Sequence, residues 1–83
     1  LSQNAPNPFV KGTTINYTLP QSFGTAKIVI TDNYGKVIKD MKVTSSGKGS
    51  LYADASSLAA GTYQYSLYVD GKLVETKQMV LQK

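Results

Sequence analysis

The sequence contains no cysteine, histidine, tryptophan or arginine. Without cysteine and histidine, the chain cannot build a disulfide framework, a zinc cluster, or the nucleophile-and-base pairs of serine and cysteine hydrolases. The five acidic residues form no Asp-x-Asp-x-Asp-Gly calcium loop, and Asp32 and Asp70 have the simpler explanation of turn residues. We therefore predict no catalytic residue, no cofactor and no metal site.

The charge is carried by lysine alone. Nine lysines and five acidic residues give a formal net charge of +4. Recognition of bases and phosphates relies heavily on arginine, whereas lysine gives a diffuse attraction that salt weakens. Because the lysines are spread along the chain, we interpret them as a solubilising surface and expect no nucleic-acid partner. Weak attraction to anionic lipid headgroups or polysaccharide is the alternative.

Long apolar runs are also absent, since the longest is far shorter than the ~20 residues that span a bilayer. We therefore expect no transmembrane segment. The chain begins at Leu1 rather than at methionine, which favours a piece of a larger precursor, and 83 residues suffice for one domain with one small core.

Turn-forming residues interrupt the chain roughly every 8–12 positions, and the stretches between them alternate apolar and polar residues. In the first stretch Ile15, Tyr17 and Leu19 share one face, and Pro20 ends the strand. The predicted fold is all-β, an immunoglobulin-like antiparallel sandwich of about seven strands. The clearest strands are residues 13–19, 25–31, 36–43, 50–53, 63–69 and 73–81.

Several local features accompany these strands. Residues 32–35 and the Asp70–Gly71 pair predict hairpin turns, and residues 44–49 predict a flexible connector. Asp54 and Ser56 are candidate N-caps for a single helical or 3₁₀ turn that Gly61 stops, and Leu58 should face the core there. The stripe that faces the core in the fifth strand is Tyr63, Tyr65, Leu67 and Val69, with Tyr68 outside.

The last strand alternates less regularly, because Val74 and Val80 share one parity while Leu73, Met79 and Leu81 share the other. A bulge near Lys77 or Gln78 would reconcile the two halves, and an edge strand that is wet on one side is equally consistent. At the other end of the chain, the prolines in residues 4–8 predict an extended, irregular entry with Phe9 folded over one end of the core.

Six short motifs occur in a set order along the chain. They are Gln3 to Phe9; Thr13, Thr14, Ile15, Tyr17, Leu19 and Pro20; Gly35 and Lys36; Leu58 to Tyr65; Asp70 to Lys72; and Met79 to Lys83. Together these motifs resemble the type A C-terminal sorting domain of the type IX secretion system, and the resemblance covers all 83 residues.

The resemblance implies that residues 1–83 are a single sorting domain at the C-terminus of a larger cargo protein of Bacteroidota-type bacteria. The cargo would cross the periplasm and reach the outer-membrane surface or the medium. The implied partners are an outer-membrane shuttle, a translocon, and a sortase-like cysteine peptidase that cleaves upstream of Leu1.

The resemblance also implies which residues the secretion machinery recognises. These residues lie in the last two strands and the turn between them: Gly61, Tyr63, Gly71, Lys72, Lys77, Met79, Val80, Leu81 and Lys83. An exposed edge of the last strand would suit reading by strand addition. The entry motif, with a structural role, consists of Asn4, Pro6, Asn7, Pro8 and Phe9. The alternative function is a passive immunoglobulin-like spacer, or a module that binds carbohydrate or the cell surface through Tyr68.

Overall fold

The computed structural model describes residues 1–5, 7–44 and 46–82. The strands in these ranges are β1 (Gly12–Leu19), β2 (Ala26–Thr31), β3 (Val37–Lys42), β4 (Gly47–Asp54), β5 (Gly61–Val69) and β6 (Lys72–Leu81). Within the same ranges no helix is long and apolar enough to cross a membrane. The predictions that concern Pro6, Ser45 and Lys83 lie outside the described residues.

The strands form two antiparallel sheets. Strands β1 and β4 pair with each other, and the second sheet has the order β3-β2-β5-β6. This arrangement confirms the predicted all-β antiparallel class and is consistent with an immunoglobulin-like sandwich, with six strands rather than seven. The described residues of the entry segment, 3–5 and 7–9, form isolated bridges, at Ala5 to β1 and at Phe9 to β6. Its two prolines lack the N–H group that a continuous ladder needs.

Both sheets contribute to one hydrophobic core. The alternation predicted for β1 is confirmed, because Ile15, Tyr17 and Leu19 are buried while Asn16 and Thr18 are exposed. Burial of a large apolar or aromatic side chain contributes about 1.5–3 kcal/mol, so this inward stripe holds the sheets together. The core consists of Phe9, Ile15, Tyr17, Leu19, Ala26, Ile28, Ile30, Val43, Ala53, Ala55, Tyr63, Tyr65, Leu67, Met79 and Leu81.

Residues 47–49, predicted as part of a flexible connector, instead begin β4. Gly47 pairs with Leu19, and Gly49 pairs with Tyr17. A Cβ atom on Gly49 would overlap the ring and hydroxyl of Tyr17. The glycine therefore allows a close approach between neighbouring strands. Composition alone does not distinguish a glycine with this role from a glycine in a flexible loop.

Residues 55–60, directly after β4, form a turn and bends rather than the helical or 3₁₀ turn that the sequence predicts. Asp54 Oδ1 accepts a hydrogen bond from the backbone N–H of Ser56 at 3.0 Å, as its candidate capping role implies. The N–H of Leu58 donates to the carbonyl of Ala55 at 3.0 Å, and this closes the turn. Leu58 is half-buried and packs against the core, as predicted.

Strand β6 is an edge strand, and its ladder to β5 contains a bulge at Val74 rather than near Lys77 or Gln78. The pairing shifts from Tyr68 opposite Leu73 to Leu67 opposite Glu75. Without this extra residue, the turn would place Gln78 opposite Tyr63, and Met79 and Leu81 would face solvent. A bulge before Met79 is needed because the remaining part of β6 must keep the register that buries both apolar side chains.

Candidate recognition surfaces

The final hairpin, β5 and β6 with the turn between them, contains most residues of the predicted recognition set. Val69 pairs with Lys72, which leaves Asp70 and Gly71 as a two-residue loop. Both have positive φ angles, 53° at Asp70 and 79° at Gly71. This is the geometry that the right-handed twist of a hairpin favours, and Asp-Gly is among the dipeptides that adopt it most readily. The predicted turn is therefore confirmed.

Asp70 also joins the turn to a distant loop. Its Oδ1 accepts hydrogen bonds from the backbone N–H groups of Gly24 at 2.7 Å and Thr25 at 2.9 Å. Its own N–H donates to the carbonyl of Thr25 at 2.8 Å. The carboxylate thus fixes the loop that precedes β2 against the turn. The sequence predicts the turn but gives no signal for this second role, because the partners lie more than forty residues away.

The outer edge of β6 near its C-terminal end is covered by the entry segment. The N–H of Phe9 donates to the carbonyl of Val80 at 3.0 Å, and the N–H of Gln82 donates to the carbonyl of Phe9 at 2.7 Å. Asn7 Oδ1 accepts from the N–H of Val80 at 2.9 Å. Gln3 Nε2 donates to the carbonyl of Gln78 at 2.7 Å. We call this end of the sheet the closed end and the end at Asp70–Gly71 the turn end.

The last strand was expected to present an exposed edge. At the closed end this expectation is wrong. The backbone groups to which an added strand would bind, at Gln78, Val80 and Gln82, already have partners in the entry segment. A partner that reads this part of β6 by strand addition would first have to displace residues 3–9.

A buried polar network also fixes the entry segment. The hydroxyl of Tyr65 accepts a hydrogen bond from the N–H of Asn4 at 2.7 Å and donates to the carbonyl of Ser2 at 2.8 Å. Asn4 Nδ2 donates to Thr13 Oγ1 at 3.0 Å, and both residues are buried. Burial raises the pKa of the Tyr65 hydroxyl above its ordinary value of 10.0. Loss of one such buried hydrogen bond is costly, because the groups that formed it stay shielded from water.

The predicted recognition residues do not share one surface. Tyr63, Met79 and Leu81 are buried in the core. Gly61, Gly71 and Lys72 are exposed, whereas Lys77 and Val80 are half-buried. Lys77 Nζ lies 3.6 Å from the carboxylate of Glu75. Gly71 and Lys72 lie at the turn end, and Gly61 pairs with Leu81 at the closed end.

The predicted entry residues divide in a similar way. Asn4 and Phe9 are buried, with exposed fractions of 3% and 1%. Asn7 and Pro8 are exposed, and the Asn7–Pro8 peptide bond is cis. The side chain of Phe9 belongs to the core cluster, which confirms that it closes one end of the core.

A groove of about 640 Å³ lies at the turn end. Residues from the loop before β2, the end of β3 and the final hairpin line it, among them Phe23, Lys27, Lys42, Thr44, Tyr68 and Gly71. Sequence patterns did not indicate this groove. Its walls come from three separated segments, and only the pairing of β2 with both β3 and β5 brings them together.

The groove adjoins a row of side chains across the four-stranded sheet. Lys42, Lys27, Tyr68 and Leu73 occupy neighbouring register positions on β3, β2, β5 and β6. Lys27 Nζ lies 5.6 Å from the centre of the Tyr68 ring and 3.6 Å from Asp40 Oδ2. Tyr68 lies on the outer face as predicted, but it is half-buried rather than fully exposed. We call these four residues the outer row.

Among the described residues, no three His, Cys, Asp or Glu side chains are grouped so that they could hold a metal ion. The carboxylates that the structure brings into contact with other groups serve turns and ion pairs. Asp54 is an example, because its hydrogen bond from the Ser56 backbone lowers the pKa of its carboxyl below the usual 3.8.

Comparison with known families identifies the whole unit. The family model described as the secretion system C-terminal sorting domain matches residues 5–82. No curated protein and no solved structure matches the chain significantly. The matched range includes the entry segment from Ala5, both sheets and the final hairpin. It thus covers all but Gln3, Asn4 and Lys83 of the residues that carried the resemblance seen in the sequence. The chain belongs to the family of type IX secretion system C-terminal sorting domains.

Proposed function

We propose that residues 1–83 act as a single sorting domain for a cargo protein that precedes Leu1, and that the secretion machinery recognises the domain in its folded form. The family consists of non-catalytic sorting signals, and membership of it supports a sorting role and implies that the parent protein is secreted through the outer membrane. The finer steps in our proposal are passage through the periplasm, binding by an outer-membrane shuttle and a translocon, and removal by a sortase-like cysteine peptidase upstream of Leu1.

One observation carries the proposal of a folded signal. The entry segment and the end of β6 are hydrogen-bonded to each other, although they lie about seventy residues apart in the chain. The family model matches the entry segment from Ala5 onward and the end of β6 within one continuous range. A linear C-terminal tail would need neither the entry segment nor its contacts.

The predicted recognition residues then have two kinds of role. We propose that Tyr63, Met79 and Leu81 act through the core, since their side chains are buried. Gly71 and Lys72 lie on the surface and are accessible to a partner in the folded domain. Gly61, Lys77, Val80 and Lys83 remain proposed recognition residues. Recognition by the machinery is thus proposed to combine a folded core with exposed groups at the turn.

The experiment is an export assay in a bacterium with an active type IX system. A periplasmic reporter is fused to residues 1–83, and the fraction that reaches the surface or the medium is measured. We expect export of this fusion and retention in the periplasm after removal of residues 81–83. Unchanged export after that truncation would contradict the proposal. Tyr34→Ala is a matched control, because its side chain is 94% exposed in the β2–β3 turn.

The same assay examines cleavage and the alternative function. Mass spectrometry of the exported reporter should find that residues 1–83 have been removed at a site upstream of Leu1, as a sortase-like peptidase would leave it. If the fusion is not exported but the isolated domain binds immobilised glycans in a Tyr68-dependent manner, the spacer or carbohydrate-binding function is the correct one.

A further inference from the structure

The turn end presents apolar and basic side chains together on one surface. Leu73, at the end of the outer row, is 57% exposed, and Val74 beside it in the bulge is 58% exposed. Phe23 and Tyr68 line the adjoining groove and are half-buried. Aromatic and aliphatic side chains that are partly accessible beside a concave surface are typical of the centre of a protein–protein interface.

The basic groups at this end have few partners within the molecule. Lys42 and Lys72 are exposed, and neither forms an ion pair with any residue that the structure describes. The two nearby carboxylates are already engaged, Asp40 with Lys27 and Asp70 with the N–H groups of Gly24 and Thr25. The surface therefore attracts negatively charged partners. Attraction by lysine acts over a long range, is weakened by salt, and mainly raises the rate of association.

We infer that the groove and the outer row form a docking site for an acidic polypeptide segment of the secretion machinery, with apolar side chains of that segment on Leu73 and Phe23. The inference rests on the proposed function and names the surface that the secretion machinery would bind. It also gives Gly71 and Lys72 a common location, since Gly71 lines the groove and Lys72 follows it in the chain.

A polypeptide fits this surface better than a saccharide. Sugar rings bind to the exposed face of an aromatic side chain, but the ring of Tyr68 already has the ammonium group of Lys27 at 5.6 Å. Leu73 is aliphatic and offers no such platform, whereas it suits contact with another apolar side chain. Exposed lysines around an apolar centre complement an acidic segment that carries apolar residues.

The test compares two charge reversals in the reporter fused to residues 1–83. The first variant carries Lys42→Glu and Lys72→Glu. The matched control carries Lys11→Glu and Lys48→Glu, which change the net charge equally at exposed positions outside the proposed docking site. We expect the first variant to lower the initial rate of export by about tenfold or more and the control to change it by less than about twofold. Thermal midpoints of both purified domains should stay within about 4 °C of the parent domain.

The outcomes separate this inference from the proposed function. If the parent fusion is not exported, the proposed function fails. If the parent fusion is exported and the Lys42→Glu, Lys72→Glu variant is exported equally fast, only the docking site is wrong. A thermal midpoint that falls with export only in that variant would also contradict docking, because loss of folding would then explain the defect.

A photo-crosslinking amino acid at Leu73 identifies the class of occupant in the exporting cell. We expect a discrete adduct that protease degrades, that is lost with the Lys42→Glu, Lys72→Glu variant, and that does not form from Tyr52, which is 62% exposed on the other sheet. An adduct that resists protease and is cleaved by periodate would mean a saccharide. That result, or the absence of any adduct, would overturn the inference.

Discussion

The two ends of the four-stranded sheet differ in what they offer to a partner. At the closed end, the entry segment covers the edge of β6, and Phe9 fills the core with only 1% of its surface exposed. At the turn end, Gly71 and Lys72 are exposed beside a groove. The closed end therefore maintains the fold, and the turn end carries the surface that remains accessible once the domain has folded.

This difference suggests two separate reasons for a residue to belong to a sorting motif, namely a role in folding and a role at the surface. Leu81 and Lys72 both lie in β6 and both belong to the predicted recognition set. Leu81 is buried with 2% exposure, so its replacement acts first on folding. Lys72 is exposed at the start of the strand, so we expect its replacement to act on the proposed binding rather than on folding. Export assays that do not measure stability cannot tell these effects apart.

The largest expected effect is that of Phe9→Ala at the closed end. The change removes a fully buried aromatic ring from the core, and such truncations lower the free energy of unfolding by about 3–5 kcal/mol. Urea denaturation of the purified domain measures the loss. Val10→Ala is the neighbouring control, because Val10 is 57% exposed, and its effect should stay within about 0.5 kcal/mol. Equal effects of the two changes would mean that Phe9 does not close the core.

Removal of one hydroxyl group should have the next largest effect. Tyr65→Phe leaves the N–H of buried Asn4 without its acceptor, at a cost of about 1–3 kcal/mol in the free energy of unfolding. Tyr34→Phe, at an exposed side chain, should change stability by less than about 0.5 kcal/mol. If Tyr65→Phe is as stable as the parent domain, the network does not hold the entry segment in place.

At the turn end we expect a smaller loss from Asp70→Ala, about 1–2 kcal/mol. The change removes two hydrogen bonds to the loop before β2 and puts a less suitable residue at a φ of 53°. Asp70→Asn keeps a carbonyl oxygen as acceptor and tolerates positive φ, so it should recover most of the stability in the same denaturation experiment. Equal losses in the two variants would show that charge, rather than hydrogen bonding, matters here.

The smallest effect is a dependence of stability on alkaline pH. The pKa of the Tyr65 hydroxyl is raised above 10.0 in the folded domain, because burial disfavours the phenolate. The unfolded chain then loses this proton at a lower pH than the folded domain does, so stability falls as the pH rises from the unfolded pKa through the folded one. Denaturation between about pH 9 and 11 should show a shallower fall for Tyr65→Phe than for Tyr34→Phe. Identical slopes would contradict this assignment.

Patterns within a few residues predicted the local structure well. The period-two stripes of β1 and β5 gave the inward faces, and Asp70–Gly71 gave the hairpin turn, because side-chain direction in a strand and φ in a tight turn are local properties. The glycines of residues 47–49 led to the wrong prediction of a flexible connector. A glycine that is required for close packing against Tyr17 looks the same in a sequence as a glycine in a loop.

Features that depend on distant segments could not be predicted. A bulge in β6 is required because Met79 and Leu81 must face a core that other strands build, and the sequence does not indicate that it lies at Val74. The contact of Asp70 with Gly24 and Thr25, the pairing of Phe9 with Val80 and Gln82, and the groove all join residues far apart in the chain. The sequence motifs indicated which segments matter, but only the assembled sheet separates the closed end from the turn end.

The most direct measurement compares export of the reporter fused to residues 10–83 with export of the reporter fused to residues 1–83. The shorter fusion keeps the complete final hairpin and all the proposed recognition residues. It lacks the segment that covers the end of β6. Since we propose that the signal is a folded unit completed by the entry segment, we predict that the shorter fusion stays in the periplasm. Export of both fusions at the same rate would contradict this proposal and would mean that the final strands are read as a linear tail.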